Sequence, residues 1–391
     1  MAQRSKASDS VNNAAALLPA GLGDVLPPLA EQEAAAIETL VASFRSYGYE
    51  RVKPPLIEFE TGLLAGTGAA MASQTFRLMD PVSQRMMGVR ADITVQVARI
   101  AATRLAKMPR PLRLSYAGQV LRVKGTQLRP ERQFAQVGAE LIGIDAATAD
   151  AEIIILAAEA LQHLNVAGLS VDIALPGLVP LVLNKEISGD LHQALDRRDI
   201  DAVTKLGGAA GKTLAALIGA CGPVASALTA LDKISLPFHA QDIAQRLKDV
   251  IRQVSTALPK LTLTVDFVER RGFSYEQGIA FTLFARGVRG ELGRGGDYLI
   301  SIAEKSGTEG SAGEPACGVT LYMDSVLRAL PAQEPAQRLY LPHGTNIARA
   351  TALRQEGWVT VMGLTKDSDP AAEARRLGCT HLLAADKPTP V

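Results

Sequence analysis

Leu121–Gly143 reads LRVKGTQLRPERQFAQVGAELIG. Arg132–Ile144 suits a strand, and so does the run before it, Leu112–Val123. A polar, basic loop, Lys124–Glu131, joins the two. Two long strands joined by one short loop read as an antiparallel pair. Gln136 and Glu140 lie four apart on the second strand, so both side chains point to the same face. The stretch therefore predicts a sheet that carries polar acceptors on one face.

On the N-terminal side, Leu29–Tyr47 has apolar residues at helical spacing and stops at Gly48. Glu50–Ile57 reads as a strand, demoted to an edge or interface strand by Pro54 and Pro55. Gln74–Met79 and Arg85–Val89 suit a hairpin around Asp80-Pro81, and Thr94–Lys107 suits a helix. On the C-terminal side, Thr148–Leu164 is an amphipathic helix and Ser170–Ala174 a strand. Composition then changes. From about 181 to 258 the pattern is helical and rich in Ala and Leu, which predicts a helical insertion.

Strands resume at Leu261–Val268, Ala280–Phe284, Asp297–Ile302 and Cys317–Tyr322, and a helix follows at Met323–Ala329. The glycine-rich Ser306–Glu314 is a loop. A boundary falls at Pro331–Pro335. Beyond it lie strand Arg338–Leu341, helix Asn346–Gln355, strand Val359–Gly363, helix Pro370–Leu377 and strand His381–Ala384. This sequence predicts a disordered leader over 1–16, an α+β core over 17–330 with a mainly antiparallel sheet, and a small βαβαβ unit over 336–391.

Bulk composition narrows the function. Lys+Arg is 41 and Asp+Glu 40, a balance with no general pull toward nucleic acid. The three cysteines, Cys221, Cys317 and Cys379, are far apart, and the five histidines are scattered. Neither set suggests a metal site or a disulfide framework, so a reducing, cytoplasmic setting is expected, with no metal and no cofactor. No apolar run reaches the roughly 20 residues of a membrane span.

Candidate binding chemistry gathers on a few residues. Asp92, Gln136 and Glu140 supply acceptors, and Thr94 adds a hydroxyl. Asp92 and Thr94 share a face if that stretch is extended. Arg122 and Arg271 are forked donors suited to a carboxylate. The plain alternatives are a structural ion pair between Glu140 and Arg122, a core role for Tyr275, and a solvated charge run for Lys124, Arg129 and Arg132.

Four segments in order resemble the class II core of histidyl-tRNA synthetases. They are LPAGLGDVLP (Leu18–Pro27) with YGYERVKPPLIE (Tyr47–Glu58), VRADIT (Val89–Thr94), Leu121–Gly143 and RRGFSYEQG (Arg270–Gly278). They resemble, in turn, motif 1 with Pro55 at its proline, the Arg-Pro-Glu-Gly-Thr stretch, motif 2, and a signature peculiar to histidyl enzymes. The resemblance implies an antiparallel sheet flanked by helices and a dimer formed through motif 1. It also implies a histidine pocket built from Asp92, Thr94, Arg122, Gln136, Glu140, Arg271 and Tyr275.

The departures from the enzyme pattern bear on activity. Working synthetases carry Phe-Arg-x-Glu in motif 2, whose glutamate accepts from adenine. Lys124 stands there and cannot accept. Motif 3 should read roughly Gly-Leu-Glu-Arg, where this chain has Tyr322-Met323-Asp324-Ser325. In the signature, Ser274 and Glu276 replace an aspartate and a tyrosine. The C-terminal unit resembles a truncated anticodon-binding domain.

Such a paralogue is similar to the regulatory subunits of ATP phosphoribosyltransferase. That similarity implies a non-catalytic chain, with no catalytic residues of its own, which assembles with the short-form catalytic subunit, usually four of each. It would be required for that subunit's activity in the first step of histidine biosynthesis and for feedback by free histidine. No nucleic acid and no membrane are expected as partners. A histidine–tRNA ligase, or another histidine-sensing pseudo-synthetase, is the alternative. Lys124 and Ser325 speak against the ligase.

Overall fold

The computed structural model describes residues 17–184, 187–269, 276–300, 313–332 and 337–391. The expected leader, 1–16, and most of the expected 306–314 loop lie outside them. Elements are labelled in chain order. Helix α1 (Leu29–Ser46) buries Ala36, Leu40, Val41 and Phe44, an i, i+4 stripe. It ends where Gly48, at φ +83°, donates to the Arg45 carbonyl, the αL cap that glycine adopts most readily.

The expected strand over Glu50–Ile57 is not continuous. It divides into β1 (Glu50–Arg51) and β2 (Ile57–Phe59), because Pro54 and Pro55 cannot donate to a ladder between them. β2 joins β3 (Arg77–Met79) and β4 (Met86–Val89) in a three-stranded antiparallel sheet, with helix α2 (Glu60–Leu63) in the connection. Helix α3 (Thr94–Thr103) follows and is shorter than its apolar pattern suggests.

Strands β5 (Leu112–Leu121) and β6 (Gln133–Ile142) form the long antiparallel pair read from the opening stretch. After α4 (Ala147–His163) come β7 (Leu169–Ala174) and the helical insertion. The insertion holds α5 (Leu178–Leu183), α6 (Gly189–Asp196), α7 (Ile200–Leu206), α8 (Gly211–Ala220), the two-residue β8 (Gly222–Pro223), α9 (Val224–Leu231) and α10 (Phe238–Ala257). Ser188 and Asp199 cap α6 and α7 by accepting from Leu191 N and Ala202 N. Then β9 (Thr262–Asp266), β10 (Glu276–Ala285), β11 (Gly293–Ile300) and β12 (Glu314–Tyr322) lead into α11 (Met323–Ala329).

The large sheet runs β1-β5-β6-β12-β11-β10-β7-β9-β8. It is antiparallel except for the β1–β5 and β7–β9 pairs. One face carries the main core, where α1, α4 and the insertion pack, with Leu40, Phe44, Ile153, Leu156, Leu247 and Val250 fully buried. Each such side chain contributes about 1.5–3 kcal/mol on burial. The other face carries a smaller, more polar core around Ile93, Val97, Tyr116, Phe134, Tyr298 and Tyr322.

Arg246 of α10 ties the insertion to the sheet, with Nε 2.7 Å from Asp150 of α4 and Nη2 3.1 Å from Asp297 of β11. Asp150, Asp297 and Cys317 place possible ligand atoms within 4.8 Å of one another, but a guanidinium already supplies the positive charge there. Burial beside a second carboxylate pushes the Asp297 carboxyl well above its usual range.

The chain divides into two compact units after Leu330. The second unit holds β13 (Arg338–Leu341), α12 (Ile347–Gln355), β14 (Val359–Met362), α13 (Pro370–Arg376), β15 (His381–Ala384) and β16 (Lys387–Pro390). β13 lies parallel between β14 and β15, and β16 adds antiparallel to β15. That last strand was not expected, since Pro388 and Pro390 mask its pattern. Proline at alternate positions is tolerated on an edge strand. Among the described residues, no helix is long and apolar enough to cross a membrane.

Candidate functional site

The β5–β6 pair builds the floor of the site. Gln136, Gly138 and Glu140 alternate onto the face of β6 that carries the smaller core. A Cβ at Gly138 would overlap the Tyr116 hydroxyl, so this glycine lets the Tyr116 ring cross between Gln136 and Glu140. The Asp92–Thr94 stretch is not extended as expected. Thr94 opens α3, and its backbone N donates to Asp92 Oδ1 at 2.9 Å. The two residues still reach one cluster, through a turn rather than by strand alternation.

Four predicted residues come together. Gln136 Nε2 donates to Asp92 Oδ2 at 2.9 Å, and Ile93 N donates to Gln136 Oε1 at 3.1 Å. Thr94 Oγ1 donates to Glu140 Oε1 at 2.9 Å. All four are buried. Arg122 stands at the margin, donating through Nε to the Ala91 carbonyl at 3.3 Å and packing 5.1 Å from the Phe134 ring. The alternative of a Glu140–Arg122 ion pair does not occur: Glu140 accepts from Thr94 and Tyr298 instead. Arg271 and Tyr275 lie outside the described residues.

Three further residues complete the cluster. Tyr298 hydroxyl donates to Glu140 Oε2 at 2.9 Å. Tyr116 and Thr320 hydroxyls lie 2.7 Å apart, and Thr94 Oγ1 is 3.0 Å from Tyr116. Tyr116 and Thr320 both sit opposite Gly138 in register, one on each neighbouring strand. The glycine between Gln136 and Glu140 was the available signal for them.

Burial controls the charge of this cluster. Desolvation raises the Glu140 carboxyl to about 8, against bonds from Thr94 and Tyr298 that favour the ionised form. Asp92 is also raised by burial, opposed by Gln136 and Arg122. A carboxyl raised on folding contributes its stability below the unfolded value and loses it as pH rises toward the folded value. Wild type is therefore expected to lose about 2–3 kcal/mol relative to Glu140→Gln between pH 5 and pH 7. Parallel urea titrations of the two proteins check this, and curves with the same pH dependence would refute it.

A second constellation fills the adjoining space. The Arg129 guanidinium lies 3.8 Å from the centroid of the Tyr322 ring. Its Nε pairs with Asp324 Oδ2 at 3.0 Å, and Nη2 lies 3.6 Å from Glu291. Phe134 meets Tyr322 edge-on at 6.1 Å between centroids. Ser325 is buried and accepts from Arg129 and Arg328. Arg129 is thus not part of a solvated run, since its side chain is only 8% exposed. Arg132 is also engaged, donating to the carbonyls of Arg122 and Ala20. Lys124 remains exposed.

The fold and these motifs define a class II, histidyl-tRNA-synthetase-like chain. The histidyl-tRNA synthetase family profile matches residues 21–326. The ATP phosphoribosyltransferase regulatory subunit of Rhodospirillum centenum is 55% identical over 384 residues, 97% of each chain. Its counterpart from Paramagnetospirillum magneticum is 56% identical over 384 residues, 97% of this chain and 98% of that one. By this similarity the chain belongs to the family of ATP phosphoribosyltransferase regulatory subunits. Among solved structures, a Bacillus halodurans chain described as an ATP phosphoribosyltransferase regulatory subunit/histidyl-tRNA synthetase shares the fold. It has a TM-score of 0.78, 21% identity, and coverage of 94% of this chain and 97% of that one. A Nostoc histidyl-tRNA synthetase aligns with a TM-score of 0.77 and 18% identity, over 95% and 91% of the two chains.

Proposed function

We propose that this chain is a non-catalytic subunit that switches on the short-form catalytic chain of ATP phosphoribosyltransferase, a glycosyltransferase, and carries its inhibition by free histidine. One observation supports this most. The acceptor cluster of a histidine pocket persists, while the neighbouring space is filled by Arg129 stacked on Tyr322. Histidine is taken to contact Asp92, Thr94, Arg122, Gln136 and Glu140, with Arg271 and Tyr275 added by the family resemblance. The core over 17–330 is read as the sensing part, self-associating through α1 and the Pro55 strand, in a cytoplasmic assembly with the catalytic chain.

Asp92, Gln136 and Glu140 already bond within the protein. Histidine must exchange those internal bonds for its own, so its binding is coupled to rearrangement of β6 and the start of α3. Regulation further requires that two states of the assembly bind histidine unequally, since equal binding shifts nothing. Such coupling is commonly about 1–3 kcal/mol.

The test is reconstitution. The catalytic chain alone is expected to be weakly active, to gain activity on addition of this chain, and to lose it again with histidine. Sedimentation of the same samples is expected to show this chain as a dimer or larger by itself, and a heavier complex when mixed. Catalytic activity unchanged by this chain at every ratio would overturn the proposal.

A further inference from the structure

On the site face, Arg294 has no carboxylate counterpart among the described residues. Arg294 of β11 pairs in register with Thr320 of β12, and residues directly opposite in an antiparallel pair point to the same face. Thr320 belongs to the buried hydroxyl cluster, and Tyr322, two residues on, shares its face. Arg294 therefore projects toward the Tyr322 ring. It is partly buried, and its Nε is shielded from solvent with no hydrogen-bond partner. Among the described residues it makes no ion pair.

Arg122 is in a similar position. It has one carbonyl contact at 3.3 Å, acts on the Asp92 carboxyl only through its charge, without an ion-pair contact, and packs against Phe134, which abuts Tyr322. Burial raises the Tyr322 hydroxyl, and the charges of Arg122, Arg129 and Arg294 around the ring oppose that rise. Arg99, Arg113, Arg129 and Arg246 hold carboxylates, and Arg90 and Arg132 each donate to two backbone carbonyls, whereas Arg294 combines a shielded, unbonded Nε with no ion pair among the described residues. A desolvated guanidinium without an anion is costly, and an orphaned buried donor calls for a missing partner.

We propose that Arg122 and Arg294 form an oxyanion subsite beside Tyr322, which takes the carboxylate of a free amino acid or the phosphate of a phosphorylated metabolite. The inference rests on reading this face as the effector site, and it adds Arg294 to that site. An amino acid lying across the face would set its carboxylate on this pair and its cationic groups toward Asp92 and Glu140. Arginine suits either oxyanion because its fork donates two parallel bonds.

The experiment is thermal melting of the full-length chain with histidine, with histidinol (which lacks the carboxylate) and with inorganic phosphate. Wild type is expected to be stabilised by histidine or phosphate, and less by histidinol. Arg294→Gln should weaken that response about tenfold or more, as loss of a charge-assisted pair does. Arg294→Lys should keep part of it. Without ligand, Arg294→Gln should melt no lower than wild type, since the unpaired charge is a liability until the anion arrives. A phosphate response with no histidine response keeps the subsite and removes the amino acid from it. The proposal fails if Arg294→Gln responds as wild type does, if neither oxyanion stabilises wild type, or if unliganded Arg294→Gln melts well below wild type. The reconstitution assay reads the regulatory role separately, so the two can fail independently.

Discussion

Given histidine, ATP and labelled pyrophosphate, the isolated chain is expected to exchange no label above background. Aminoacyl-adenylate chemistry needs ATP held against the amino acid, and two groups that resemble its holders have changed. Lys124 can only donate where an acceptor for adenine is needed. Ser325 replaces the motif 3 arginine, and its hydroxyl is engaged by Arg129 and Arg328. Each loss weakens transition-state binding by about 1.5–3 kcal/mol, so together roughly a hundredfold to ten-thousandfold. The Arg129–Tyr322 stack fills space beside Ser325. Clear histidine-dependent exchange would restore the ligase reading.

Gly318→Ala is expected to destabilise the protein by about 3 kcal/mol or more, read by urea denaturation. Gly318 faces Glu140 in register, and a Cβ there would overlap Glu140 Oε2 and lie 2.9 Å from the Ala139 carbonyl oxygen. The carboxylate cannot swing away freely, because Thr94 and Tyr298 both donate to it in a buried setting. Its displacement would break both of those buried hydrogen bonds. The cost should couple to that side chain. In a Glu140→Ala background, which clears the space, Gly318→Ala should cost markedly less. A loss under 1 kcal/mol in the wild-type background would show that the sheet relaxes around the added methyl group.

Much of the fold was legible because its signals are local. The α1 stripe with its Gly48 cap, the β5–β6 pair and the helical insertion each follow from spacing within one segment. The site was legible where residues share a strand, as Gln136 and Glu140 do. It was less so where tertiary geometry decides. Asp92 and Thr94 meet through a turn at the start of α3, a local bond that overrides alternation. Tyr116, Thr320 and Tyr298 reach the cluster across strand pairings that no local pattern reveals. Arg129 looked like one charge in a basic loop, yet its carboxylate partner Asp324 lies 195 residues further along the chain. β16 escaped because proline argues against strands everywhere except at an edge.

The surroundings of Ser325 bear on how this family's sequences can change over time. Arg129 and Arg328 already converge on its buried hydroxyl. Ser325→Arg, the single step toward the synthetase motif, would press a third guanidinium against two others. Only Asp324 and Glu291, with Glu131 beside Arg328, stand near to offset them. Such a chain would crowd three guanidiniums onto carboxylates that two of them already occupy. Lys124→Glu alone would do nothing to move the Arg129–Tyr322 stack. A move to the synthetase motif would therefore need several substitutions together. The stack thus adds to the number of changes that separate this chain from the synthetase motif.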